Sequence, residues 1–239
     1  MAARRTSSPP RVALALLLRR VEYGESDLVL TLLTDTQGRI SALARGARKS
    51  VKRFGGAIEP MHTLRISYDD HSGAELVMLR EAKLERARPF LLTSLERMLA
   101  AGLALNWVRK AAPPRTPEPE VWQAIEALLD HLADAHDPIS TRARLAGAGL
   151  QLLAAFGWGI DFEQCVSCGK VPAAGQAAAV DAARGGLVCR NCGGARQRLS
   201  GAQLVALSRA AAGEALDDHS ATLGLELVEQ ALRAHAGIG

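Results

Sequence analysis

The sequence predicts an α+β protein of more than one domain: a small five-stranded barrel, then a helical region carrying a four-cysteine metal module. Three observations lead there. Five short runs of strand composition crowd into residues 11–88, helical spacing takes over after Pro89, and all four cysteines fall late in the chain as two Cys-x-x-Cys pairs. A length of 239 residues accommodates two domains. Apolar residues make up 48% of the chain but aromatics only 4%, so Leu, Ala and Val must build the core.

Residues 1–10 pair basic side chains with Ser7, Ser8, Pro9 and Pro10 and are expected to form a disordered tail. The strand runs are Val12 to Val21, Leu28 to Thr34, Arg39 to Arg45, Met61 to Tyr68 and Glu75 to Leu84. Asp35-Thr36-Gln37-Gly38 suits a hairpin between the second and third, and Asp69-Asp70-His71-Ser72-Gly73 does the same between the fourth and fifth. A longer connection separates the third and fourth, which fits a small, partly open barrel, although periodicity does not choose among barrel types.

Beyond Pro89, Leu91, Leu95, Met98, Leu99 and Leu103 share one face of a helix expected to run to Lys110. A proline-rich loop from Pro113 to Pro119 follows. A second helix opens at Pro119, presenting Val121, Ile125, Leu128, Leu129 and Leu132, and a third spans Ser140 to Phe156 before Gly157-Trp158-Gly159. Two more, Ala202 to Ala212 and Leu223 to His235, come after the cysteines. The expected division is therefore a tail at 1–10, a barrel domain at 11–88, and a helical domain at 89–239 with the metal module at 162–196.

Cys165-Val166-Ser167-Cys168 and Cys189-Arg190-Asn191-Cys192 lie 20 residues apart, at the upper edge of the spacing for a four-thiolate zinc site. Each pair sets two sulfurs on a tight knuckle, and four thiolates close a tetrahedron with no position left for a catalytic water. One structural zinc is expected. Free thiols, disulfides or redox sensing are the competing readings; against them stands the fact that every cysteine belongs to one of the two pairs.

Residues 1–90 hold 16 Lys or Arg against 10 Asp or Glu, while residues 91–239 hold 13 against 15. The first part is thus suited to a polyanion. Its sharpest cluster is Arg45, Arg48, Lys49, Lys52 and Arg53, five cations within nine residues beside Gly46, Gly55 and Gly56. Such a loop contacts phosphates without reading sequence; composition fits a merely solvated basic loop as well. Tyr23, Phe54 and Tyr68 are nearly the only aromatics available for stacking, so binding led by electrostatics with little base stacking is expected.

The run Val12 to Leu18 behind Arg4, Arg5 and Arg11 is too short for a signal segment, is followed at once by Arg19 and Arg20, and precedes no small-residue cleavage site. No stretch approaches the 18 or so apolar residues of a membrane span. A cytoplasmic protein is expected. No Ser, His and Asp order, paired carboxylates or phosphate-binding glycine loop stands out, and His62, His71, His131 and His136 are expected at the surface or at element ends, so the sequence argues against an enzyme.

Several segments together resemble the RecO family of bacterial recombination mediators, over about residues 11–235. They are Tyr23-Gly24-Glu25-Ser26-Asp27 leading into Leu32-Leu33-Thr34, the Gly38-Arg39 turn, Ala44-Arg45-Gly46-Ala47-Arg48-Lys49, Gly56-Ala57-Ile58-Glu59-Pro60, and Phe156-Gly157-Trp158 before the cysteine pairs. The resemblance implies an N-terminal OB-fold and a helical domain with an inserted zinc module. It also implies DNA repair and recombination without catalytic turnover: binding of single- and double-stranded DNA, annealing of complementary strands, and work with RecR and the single-strand-binding protein to load RecA, in a nucleoid-associated setting. The DNA-contact candidates it marks are Arg39, Arg45, Arg48, Lys49, Lys52 and Arg53. Two departures accompany it: Met61-His62 stand after Pro60 where an aromatic is common, and the sequence stops at Ala236-Gly237-Ile238-Gly239 where the family often carries a further basic, aromatic-containing segment. The alternative is a zinc-module regulatory or RNA-binding interaction protein.

Overall fold

The computed structural model describes residues 9–71, 74–173 and 175–238. Most of the expected N-terminal tail, and Ser72 and Gly73 of the expected second turn, lie outside them. Two compact units result. One takes the chain through Arg88 together with Ala112–Pro119; the other takes Pro89–Ala111 and the chain from Glu120 on.

The first unit is a closed barrel of strand order β1-β2-β3-β5-β4, built from β1 (Arg11–Tyr23), β2 (Asp27–Thr34), β3 (Gly38–Ala44), β4 (Thr63–Asp69) and β5 (Leu76–Arg86). The barrel expected to stay partly open closes through a parallel pairing of Ser41, Ala42 and Leu43 with Leu76, Val77 and Met78. Alternation decides what is inside: Leu28, Leu30 and Leu32 of β2, with Ile40, Ala42 and Ala44 of β3, point into a core shared with Ala13, Ala15, Leu64, Ile66 and Tyr68. β1 serves two partners. Its first half pairs with β4 and its second half with β2, and the register slips between Leu17 and Arg19.

That irregularity reverses the inward set. Ahead of it Ala13, Ala15 and Leu17 face the core; beyond it Arg20 and Glu22 stand opposite Leu30 and Leu28, where the ribbon runs past the end of the barrel. The end is closed by α1 (Val51–Phe54), a single turn that sets Phe54, 2% exposed, against the core with Ile58 beside it. Met61 takes a left-handed φ of 72°, so the fourth strand begins at Thr63 rather than at Met61 as expected.

The proline-rich segment lies along β3. Arg39 donates from Nε to the Ala112 carbonyl at 2.7 Å, the Arg115 amide donates to the Arg39 carbonyl at 2.8 Å, and the Arg115 guanidinium reaches Asp70 and the Ala74 carbonyl. Gly38 makes the approach possible: with φ 62° and the Thr116 carbonyl oxygen 1.7 Å from where a Cβ would stand, no other residue fits unchanged.

The second unit is helical: α2 (Leu95–Ala111), α3 (Pro119–Ala133), α4 (Thr141–Ala155), α5 (Gly201–Ala211) and α6 (Asp218–Ala236). A short 3-10 turn, Phe90–Thr93, precedes α2, and Ser94, extended at φ −125°, separates the two where one continuous helix was expected. α3 buries the face predicted for it, and Arg97 of α2 satisfies the α3 terminus by donating to the Leu132 and Asp134 carbonyls. α2 does not: Leu95, Leu99 and Leu103 are 71%, 64% and 36% exposed, while Ala101, Ala104, Trp107 and Val108 are buried. The reason lies in α4, where Ala146, Gly147, Ala148 and Gly149 leave no side-chain bulk. A Cβ on Gly149 would sit 2.9 Å from Val228 of α6 and 3.2 Å from the Trp107 ring, so α2 packs its small face and its tryptophan there.

Between α4 and α5 lies a four-stranded sheet of order β6-β8-β7-β9, from β6 (Asp161–Cys165), β7 (Ala178–Asp181), β8 (Gly186–Leu187) and β9 (Gln197–Leu199), which the sequence reading did not anticipate. Among the described residues no helix is long and apolar enough to cross a membrane.

Replacing Gly38 by Ala forces the Thr116 backbone away and places Ala in a left-handed conformation. The substitution is expected to cost about 1–3 kcal/mol in chemical denaturation; unchanged stability would contradict the docking of this loop on β3.

Candidate metal centre and nucleic-acid interface

The four cysteines converge. One ligand atom from each of Cys165, Cys168, Cys189 and Cys192 lies within 4.8 Å of the others, and Cys168 Sγ and Cys189 Sγ are 3.7 Å apart. A zinc-sized ion bound by four thiolates at about 2.3 Å requires tetrahedral edges of about 3.8 Å, so the donor set fits such an ion. Each knuckle turns at a glycine after its second cysteine, Gly169 at φ 71° and Gly193 at φ 100°, but the backbone bonds differ: the Gly169 amide donates to the Cys165 carbonyl at 2.8 Å, whereas the Cys192 and Gly194 amides donate to the Cys189 carbonyl at 2.9 and 3.0 Å. β6 delivers Cys165 and the segment after β8 delivers Cys189; the Cys189 amide donates to Cys165 Sγ at 3.4 Å.

The electrostatics favour a cation. Backbone donors, the Cys189 amide foremost, pull the Cys165 thiol down to about 6, whereas hydrogen bonding with the Cys168 and Cys189 thiols drives Cys192 up to about 12. Four sulfurs this close cannot all ionise without a positive charge among them. A metal ion on these four sulfurs would supply that charge and tie together the lobe, whose large buried apolar side chains are few: Phe162, Val180, Leu187, Val188 and Leu199.

The basic loop joins β3 to β4. Arg45, Arg48, Lys49, Lys52 and Arg53 are all exposed. Its backbone is nonetheless tied down: Asp27 Oδ1 accepts from the Gly46 amide at 2.7 Å, the Arg48 amide donates to the Ser26 carbonyl at 3.0 Å, and Arg53 donates to the Arg45 carbonyl at 2.7 Å while lying 5.0 Å over the Phe54 ring. The loop thus sits on the tip of the β1–β2 hairpin, around a depression of about 380 Å³ lined by Arg20, Leu28, Arg48, Lys49, Phe54 and Ile58 among others. Two carboxylates enter it, Glu22 at 3.1 Å from Arg48 and Glu59 at 2.9 Å from Arg20. Such exposed pairs are worth about 0–1 kcal/mol. Lys49 and Lys52 have no acidic partner within ion-pair distance among the described residues.

The six candidate cations do not form one group. Arg39 is half-buried near the other end of β3, about 20 Å along the strand from Arg45 by strand rise, and its Nε is committed to the loop at Ala112. The sequence reading missed Arg20 and Glu22, which only the register slip in β1 turns toward the depression. Of the three stacking candidates, Phe54 and Tyr68 are buried and Tyr23 is 60% exposed.

With this geometry in place, comparison with known families is decisive. Residues 13–88 match the family described as Recombination protein O N terminal, and residues 92–239 match Recombination protein O C terminal. The chain belongs to the RecO family of DNA repair proteins. Among similar RecO relatives, the DNA repair protein RecO of Anaeromyxobacter sp. (strain K) is 38% identical over 177 residues, covering 74% of this chain and 68% of its own. That of Myxococcus xanthus (strain DK1622) is 37% identical over 193 residues, covering 81% and 76%. The barrel and the helical region carrying the cysteines correspond to the two RecO family regions.

Stripping the metal with a chelator should make all four thiols titratable and the lobe at 161–199 protease-sensitive, while the barrel remains resistant. Four reactive thiols in the untreated protein would contradict metal binding.

Proposed function

We propose that this RecO family protein is a non-catalytic recombination mediator. It binds single- and double-stranded DNA through the barrel, anneals complementary strands, and with RecR promotes RecA loading on DNA coated by the single-strand-binding protein. The observation that carries this reading is the basic loop: five exposed cations held by backbone hydrogen bonds on a closed barrel, in a chain whose relatives bear the name DNA repair protein. Arg45, Arg48, Lys49, Lys52 and Arg53 are the proposed phosphate contacts, with Arg39 a further contact from the far end of β3. Flexible cations on a fixed backbone grip any sequence, as annealing of arbitrary complements requires.

The metal is proposed to be zinc, one per chain, on Cys165, Cys168, Cys189 and Cys192. A closed four-thiolate site holds fold rather than reacts, so its role is to brace the lobe. The proposed work on DNA supports a cytoplasmic, nucleoid-associated setting.

Changing Arg45, Arg48 and Lys49 together to Ala should weaken oligonucleotide binding and reduce the salt slope by up to about three charges' worth; an unchanged slope removes the loop from the interface. The function itself is tested by annealing complementary oligonucleotides coated with single-strand-binding protein, with and without RecR. Acceleration is expected, and none at low salt, where binding is strongest, would refute the mediator reading.

A further inference from the structure

A row of leucines one helical turn apart ordinarily faces a partner, and a row left in water marks an interaction surface. α2 presents such a row. Leu95, Leu99 and Leu103 are 71%, 64% and 36% exposed, and Leu92 in the turn ahead of the helix is 44% exposed. Gly102 lies on the same face with nothing within 4 Å of where a Cβ would stand, so the face carries a notch open to water. Glu96 and Lys110, both exposed, flank the row on its Leu103 side: at 100° and 1.5 Å per residue they lie about 40° apart around the helix and about 21 Å apart along it. The other two cations of α2 are engaged, Arg97 with the Leu132 and Asp134 carbonyls and Arg109 with Asn106. Glu96 and Lys110 have no ion-pair partner among the described residues.

We propose that this face is a self-association surface, on which α2 packs antiparallel against α2 of a second copy of this chain. Charge order selects both the occupant and its direction. Turned end for end about a two-fold axis midway between Leu99 and Leu103, the helix meets itself with Leu99 against the partner's Leu103 and with both copies of Gly102 near the axis, where the backbones come closest. Glu96 then stands about 6 Å along the helix from the partner's Lys110, on the same side of the contact. Helical side chains lean toward their own N-terminus, which in this orientation moves the two charged heads toward each other. A two-fold contact is self-complementary, so the pair forms once at each end. A parallel partner would instead set Glu96 beside Glu96 and Lys110 beside Lys110. A polyanion would gain one lysine and meet one carboxylate. The inference goes beyond the mediator reading: two chains carry two barrels, which suits a reaction that joins two strands, yet the association requires no DNA. One pair of 17-residue helices makes a small interface, so weak, reversible pairing is expected, with a dissociation constant on the order of 10 μM.

Sedimentation equilibrium of the whole chain without DNA, from about 1 to about 200 μM, tests this. The average mass is expected to rise with concentration from that of one chain, 25.3 kDa, toward twice that value. Leu99→Glu should abolish the rise. Glu96→Lys and Lys110→Glu, each alone, should weaken pairing about 5- to 30-fold, since each reversal breaks both ion pairs; the two together should restore it. A wild type that stays monomeric at the highest concentration overturns the proposal and leaves the stripe to a different protein. A dimer that survives Leu99→Glu overturns it as well, because another surface then holds the copies together. Failure of the double reversal to recover what either single reversal loses removes the antiparallel contact. If Leu99→Glu melts below the wild type, the charge reversals, which alter only exposed side chains, decide the matter by themselves. None of these outcomes depends on DNA binding, so the mediator reading stands or falls separately.

Discussion

A five-stranded sheet with this much twist must either leave two edges open to water or join them. Here they are joined by the parallel pairing of Ser41–Leu43 with Leu76–Met78, only three residue pairs long. Much of the first unit follows from that seam. Closure encloses a core of Leu, Ile and Ala side chains whose end has to be stopped, and the stopper is Phe54 on a single turn of helix. The segment carrying Phe54 is the one that carries the cations. The basic loop is held against the hairpin by Asp27 and Ser26 because its backbone must return to the barrel mouth. A requirement of packing thereby orders a surface dense in positive charge.

The second unit solves a different problem with little aromatic material. Its helices approach closely because α4 presents Ala and Gly where larger side chains would hold them apart, and α6 and Trp107 fill the space. The inserted sheet has few large apolar residues to hold it by burial, and a metal ion held by the four sulfurs would supply a cross-link. Cys165, drawn toward the thiolate by backbone donors, and Cys192, held as a thiol by its neighbours, display the same charge crowding from two sides.

Much of this was legible in the chain. The five strands, the α3 face, the cysteine pairs and the basic cluster all announce themselves through local patterns of two, three or four residues. What was misread shares one cause. Leu95, Leu99 and Leu103 satisfy helical spacing, but a stripe says only which residues share a face, and α4's small side chains drew the opposite face inward. Nor does residue type show that Arg39 stands apart from the loop cations at the far end of β3, with its Nε donating to the Ala112 carbonyl.

The sequence by itself determined the class of most segments, the two-pair pattern of the cysteines and the sign of the surface charge, because these depend on residue type and short spacing. Tertiary structure alone decided which aromatic is exposed, which arginine serves the fold, and that the barrel closes. Those outcomes turn on register: a one-residue slip between Leu17 and Arg19 exchanges the two faces of a strand, and register is set by partners far away in the chain.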